Sequence, residues 1–169
     1  MADERTTTFK GTPLALMGAE LKVGDAAPDF EITDGDLGSV NLAATGGGVR
    51  IFCAVPSLDT PVCDKEIRRF NKEAAGIGDV KIFTVSCDLP FAQKRWCGAA
   101  GVENVKTVSD HRDASFGKAY GALVSGGPLA RFLGRAVFVV DGDNKLTHVQ
   151  YVPEIAEEPD YDAVLSVVR

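Results

Sequence analysis

Two apolar runs restrict the architectures open to this chain. Val49-Arg50-Ile51-Phe52-Cys53-Ala54-Val55 and Val80-Lys81-Ile82-Phe83-Thr84-Val85-Ser86 read as strands buried on both faces, and the stretch between them carries apolar residues at helical spacing from Pro61 to about Ala75. Strand, helix and strand in that order form a βαβ crossover, which implies that the two strands pair in parallel. The handover from the first strand to the helix is Pro56-Ser57-Leu58-Asp59-Thr60-Pro61-Val62-Cys63.

Thr60 is a favoured N-cap and Pro61 suits the first helical position, where a missing N–H removes no hydrogen bond, so Cys63 falls at the third helical residue. A thiol there faces unpaired backbone N–H groups and the positive end of the helix dipole, both of which favour the nucleophilic thiolate. Ile67, Phe70 and Ala74 follow Cys63 at offsets of four, seven and eleven, so the cysteine shares the inward face of the helix. Local pattern leaves two readings open: a reactive cysteine in a pocket, or an inert thiol packed beside an ordinary cap.

Thr6 to Leu16 alternates apolar residues and threonines around Lys10-Gly11 and reads as an N-terminal β-hairpin. An irregular connector, Val23 to Phe30, leads to two short strands, Phe30 to Thr33 and Ser39 to Leu42, and Gly46-Gly47-Gly48 then breaks the chain. Beyond the second buried strand, Asp88-Leu89-Pro90 opens a helix that runs to Cys97, where Gly98 can supply the stop. Lys106 to Asp110 reads as a strand, Ala114 to Tyr120 as a helix closed by Gly121, and Ser125 to Pro128 as a loop. A hairpin follows, Arg135 to Val140 and Lys145 to Val152 around Asp141-Gly142-Asp143-Asn144, and Asp160 to Val168 is the closing helix. A βαβ half followed by a ββα half is the order of an α/β, thioredoxin-like fold, here with an N-terminal β-hairpin addition and an inserted helix, in a single domain over residues 1–169.

With 169 residues, 45% of them hydrophobic, the chain can bury one substantial core. A net charge of −6 and a pI near 4.9 argue against a nucleic-acid surface. Met1-Ala2-Asp3-Glu4-Arg5 carries neither a basic region nor a following apolar run, and no stretch approaches membrane-spanning length, so a cytoplasmic protein is expected. The four cysteines, at 53, 63, 87 and 97, include no C-x-x-C pair, and His111 and His148 stand alone, so no metal site is expected. Cys97 sits at the C-terminal end of its helix, where free carbonyls disfavour a thiolate, and spacing alone leaves six pairings of the four cysteines open.

The Pro56 to Cys63 run resembles the peroxiredoxin active-site pattern, with proline and threonine at fixed spacing before a peroxidatic cysteine. Asp88-Leu89-Pro90-Phe91-Ala92-Gln93-Lys94-Arg95-Trp96-Cys97-Gly98 resembles the second signature of the thiol peroxidase branch, the atypical two-cysteine peroxiredoxins whose disulfide forms within one chain. The likeness extends through Gly127-Pro128-Leu129 and Arg135-Ala136-Val137 to Glu158-Pro159-Asp160-Tyr161. It implies a hydroperoxide reductase without haem, metal or other cofactor. Cys63 would be peroxidatic and Cys97 resolving, Thr60 and Arg135 would complete the pocket, and Pro56 would shield it. It also implies thioredoxin as electron donor and a homodimer. The apolar content around Leu129 and Phe132 would admit organic hydroperoxides as well as hydrogen peroxide. Cys53 and Cys87 match no catalytic position of that pattern and are expected to pack, as is Trp96, although Cys87 lies close enough to the helix of Cys97 to stay a redox candidate. The rival readings are a peroxide-sensing switch using the same disulfide and a non-catalytic thioredoxin-fold binding module.

Overall fold

The computed structural model describes residues 4–169; Met1, Ala2 and Asp3, part of the leader reading above, lie outside the described residues. β1 (Thr6–Phe9) and β2 (Thr12–Met17) form the expected N-terminal hairpin. The central frame is β5 (Arg50–Ala54), α1 (Pro61–Ala74) and β6 (Lys81–Ser86), continued by α2 (Pro90–Ala100) and β7 (Val105–Ser109). β5 pairs with β6 and β6 with β7, both in parallel, as two successive crossovers require. After α3 (Ser115–Ala119), the hairpin of β9 (Ala136–Val140) and β10 (Leu146–Tyr151) adds to the other edge, β9 running antiparallel to β5, and α4 (Tyr161–Ser166) closes the chain. β3 (Ile32–Thr33) and β4 (Ser39–Val40) complete a seven-stranded sheet in the order β10-β9-β5-β6-β7-β3-β4.

Alternation along the central strands sends successive side chains to two different cores. On one face Phe52 stacks on Phe83 with ring centroids 5.3 Å apart, and Phe30, Phe116, Tyr120 and Phe138 surround the pair. On the other face Ile51, Cys53, Val55, Val137 and Val139 pack under Cys63, Ile67 and Phe70 of α1 and Val164 and Leu165 of α4. The aromatic face therefore stabilises the sheet while the aliphatic face receives the helix that bears Cys63.

Two local expectations are corrected, and one strand was not read from the sequence. The strand pair beginning at Phe30 and ending at Leu42 is only two residues long on each side, because the Asp29 carboxylate accepts the N–H groups of Phe30 and Leu42 and takes them out of the ladder. α2 does not stop at Gly98. It continues through two alanines to Gly101, whose φ of +66° supplies the left-handed cap and whose N–H returns to the Cys97 carbonyl. A further strand, β8 (Leu123–Val124), pairs with β2 and joins the hairpin to the body; two residues carry too little periodicity to be read from sequence. Gly121 ends α3 as expected, and at its φ of +65° a Cβ would lie 2.2 Å from the Ala19 carbonyl oxygen.

Phe52 is fully enclosed at the centre of the aromatic core. Phe52→Ala should lower unfolding free energy by about 3–5 kcal/mol, read as a lower urea midpoint with an unchanged denaturant slope.

Candidate active site

Cys63 occupies the third position of α1 and is fully buried. Thr60 takes the extended conformation of an N-cap, with φ −86° and ψ 146°, and Pro61 the first helical position. Thr60 does not cap the helix with its side chain, however: its hydroxyl donates to the Ser57 carbonyl at 3.1 Å. The first-turn N–H groups are thus left without a side-chain acceptor, which keeps the positive end of the helix turned toward the thiol and its surroundings.

Arg135 lies one residue before β9, just beyond the Ala54–Ala136 pair, and this register brings it beside the start of α1. Its Nη2 donates to Cys63 Sγ at 3.3 Å, its Nε to the Ile155 carbonyl at 2.9 Å, and its Nη1 to Glu66 Oε2. The guanidinium is thus clamped on three sides with one donor directed at sulfur, an arrangement that a flexible lysine cannot reproduce.

Glu66 was not among the residues singled out from sequence. It follows Cys63 by three positions, on the same face, and is fully buried. The signal was there: a glutamate on an inward stripe with Ile67 and Phe70 is anomalous unless paired. Burial pushes its carboxyl up to about 7, against the pull of Arg135 and with a smaller push from Glu158. For Arg135 burial acts downward, but Glu66 and Cys63 outweigh it and raise the guanidinium above its usual value. Glu66 Oε1 has no hydrogen-bond partner, so the second oxygen of this buried carboxyl is left without compensation.

Beside Arg135 lies a largely apolar cavity of about 310 Å³, lined by Pro56 and Thr60, Leu129 and Phe132, Ile155 and Ala156, and Phe9 and Lys10 of the hairpin turn. The hairpin reaches the site because Glu154 ties it down. Thr8 Oγ1 and the N–H groups of Lys10, Gly11 and Ala156 all donate to this carboxylate. The Thr8 hydroxyl and then these N–H groups hold its carboxyl down at about 2.

Cys97 is half-buried in α2, its Sγ 3.5 Å from Thr107 Oγ1 on β7. Thr107 and Arg135 belong to opposite sides of the β9-β5-β6-β7 ribbon, three strand spacings or about 14 Å apart. The structure therefore assembles Cys63, Thr60, Arg135 and Pro56 at one place and holds Cys97 elsewhere, with all four cysteines as free thiols. Cys53 is buried beneath α1, and burial, with Glu66 adding to it, raises its thiol well above the ordinary range. Burial and Asp110 push Cys87 up to about 12. Trp96 packs against the aliphatic core, under the Arg68 guanidinium.

A buried sulfur in contact with a permanent cation, which itself borders an apolar cavity shared with Thr60, suits nucleophilic attack on a small, weakly polar electrophile. Among the described residues no cluster of histidine, cysteine, aspartate or glutamate could hold a metal, and no helix is long and apolar enough to cross a membrane.

Comparison with known proteins agrees with this chemistry. The redoxin family description matches residues 22–165. A thiol peroxidase of Oceanobacillus iheyensis is 52% identical over 94% of this chain and 95% of its own length. A thiol peroxidase of Bacillus subtilis is 48% identical over 96% of this chain and 95% of its own length. The crystal structure of a peroxiredoxin-like protein from Aquifex aeolicus superposes with a TM-score of 0.91 at 46% identity, covering 97% of this chain and 95% of that one.

The pair Glu66–Arg135 yields a stability test. Glu66→Ala strands a buried guanidinium and should cost about 3–5 kcal/mol at pH 7, whereas Glu66→Gln keeps an acceptor and should cost less. Because the folded carboxyl binds its proton more tightly than the unfolded one, its contribution to stability is full below about pH 4.5 and is lost as pH rises through about 7. Subtracting the unfolding free energies of Glu66→Gln from those of the parent across that window should isolate this slope.

Proposed function

The chain belongs to the redoxin family and is a peroxiredoxin-type thiol peroxidase, and from that premise we propose that Cys63 is its peroxidatic cysteine and Cys97 its resolving one. The contact from Arg135 Nη2 to Cys63 Sγ supports the first assignment most directly. The Cys63 thiolate attacks the distal peroxide oxygen; the S–O bond forms as the O–O bond breaks, sulfur loses two electrons, and the departing alkoxide or hydroxide takes up a proton. Arg135 and the free N–H groups of the first helical turn stabilise negative charge as it moves onto the peroxide oxygens. The Thr60 hydroxyl can turn from Ser57 to hold the substrate, and Pro56 limits access of water to the sulfur.

Cys97 then displaces hydroxide from the Cys63 sulfenic acid, giving an intrachain disulfide and water. A disulfide requires Cα atoms within roughly 7 Å, so the helical segments around both thiols must open locally before it forms. Thioredoxin returns the two electrons by thiol–disulfide exchange, becoming oxidised as the Cys63 and Cys97 thiols reappear. The apolar wall of Phe9, Leu129, Phe132 and Ile155 favours organic hydroperoxides alongside hydrogen peroxide. This reading includes a cytoplasmic location, where free thiols are maintained, and a homodimer, for which sedimentation velocity is the check.

Peptide mapping after one equivalent of hydroperoxide should yield a dominant Cys63–Cys97 link, and another dominant pairing would refute the assignment. Cys63→Ser should abolish peroxide reduction. Cys97→Ser should retain a single stoichiometric turnover but lose cycling with thioredoxin. Arg135→Lys should lower the rate constant with peroxide by about 10²-fold, measured by stopped flow.

A further inference from the structure

The carboxylate of Asp88 has no role in the steps above, yet it joins the two thiol-bearing segments. Its Oδ1 accepts from Ser57 Oγ at 2.8 Å and its Oδ2 from the Leu58 N–H at 2.9 Å, both in the loop that leads to Cys63. The same Oδ2 accepts from Ser86 Oγ at 2.7 Å. Ser86 Oγ in turn accepts from Gln93 Nε2 at 3.0 Å, and Gln93 Nε2 also donates to the Val108 carbonyl at 2.8 Å. Gln93 is buried and lies four residues before Cys97, on the same face of α2. One chain of hydrogen bonds thus runs from the loop before the first thiol to the helical turn before the second. Among the described residues no lysine or arginine pairs with Asp88, so its charge is balanced by these donors.

We propose that Asp88 is a positioning residue that clamps the loop before Cys63 to the helix of Cys97, so that the two segments open together and the disulfide step waits on that opening. The proposal rests on the Cys63–Cys97 reading for its catalytic consequence. While the clamp is closed, a Cys63 sulfenic acid stays in the peroxide cavity, where a second hydroperoxide can transfer another oxygen to sulfur and depart as alcohol or water. Asp88 therefore sets the division between disulfide and over-oxidised sulfinic acid. Leu58 couples the clamp to the core, because its N–H is held by Asp88 while its side chain is buried in the same aliphatic core as Cys63.

Asp88→Asn tests the clamp, since it removes the negative charge that strengthens the hydrogen bonds from Ser57, Leu58 and Ser86. The first-order formation of the disulfide after one equivalent of hydroperoxide should become about tenfold faster, the loss of one charge-assisted hydrogen bond being enough for that shift. At a fixed excess of peroxide, sulfinic acid measured by mass spectrometry should fall by a similar factor. Amide hydrogen exchange should accelerate in both residues 64–67 and residues 94–98. A merely structural defect would slow the peroxide step without speeding the disulfide step. An unchanged or slower disulfide step, or faster exchange in only one segment, would overturn the proposal. If Asp88→Asn does not fold, Ser57→Ala removes one arm of the clamp and should shift the same readouts in the same direction by a smaller factor; no shift there overturns it equally. If the parent chain forms no Cys63–Cys97 link, the functional reading falls, and the exchange measurement still decides whether the two segments are clamped.

Discussion

Burial of the Arg135 guanidinium is tolerable because each of its three nitrogens finds an acceptor: a backbone carbonyl, a carboxylate and the sulfur of Cys63. The rest of the site follows from that requirement. Glu66 must be on the inward face of α1, Ile155 must return beside β9, and the β5–β9 register must place residue 135 at the helix start. The carboxylate restrains the arginine but also opposes its positive charge, and the rise of Glu66 to about 7 relieves part of that opposition near neutral pH.

The two faces of the sheet divide the labour. Interlocking aromatic rings on one face give a rigid platform, while the aliphatic face carries α1 and α4 and leaves the mouth of the site to be completed by the 129–132 segment, the 155–156 segment and the N-terminal hairpin. The loop from Pro56 to Thr60 is held by polar contacts to Asp88 and between Thr60 and Ser57, and by the Leu58 side chain buried in the aliphatic core.

Most of the frame was legible in the chain because buried strands and an amphipathic helix impose long, repeated patterns, as in residues 49–55, 61–75 and 80–86. What escaped was set by single side chains or single dihedral angles. Asp29 shortened a strand pair by taking two ladder donors, and Gly101 rather than Gly98 adopted the left-handed cap. At the site, Thr60, Pro61 and Cys63 were readable as a helix start. Arg135 is one of nine arginines and was named only through family likeness, because its approach to sulfur depends on pairing of strands more than eighty residues apart. Glu66 had a local signature, but its partner did not, and an unpaired inward glutamate is interpretable only once its counter-charge is found.

The walls of the cavity have a different provenance from its floor. Arg135 at the floor, with the sulfur and the glutamate buried behind it, is tied to the crossover and the central strands, where almost any substitution disturbs the core. Phe9, Lys10, Leu129 and Phe132 come from a surface hairpin and a connecting segment. Drift in these peripheral positions can therefore reshape the cavity while the buried cluster of sulfur, guanidinium and carboxylate stays untouched, so that a lineage of such chains has room to vary the rim without disturbing what lies behind it.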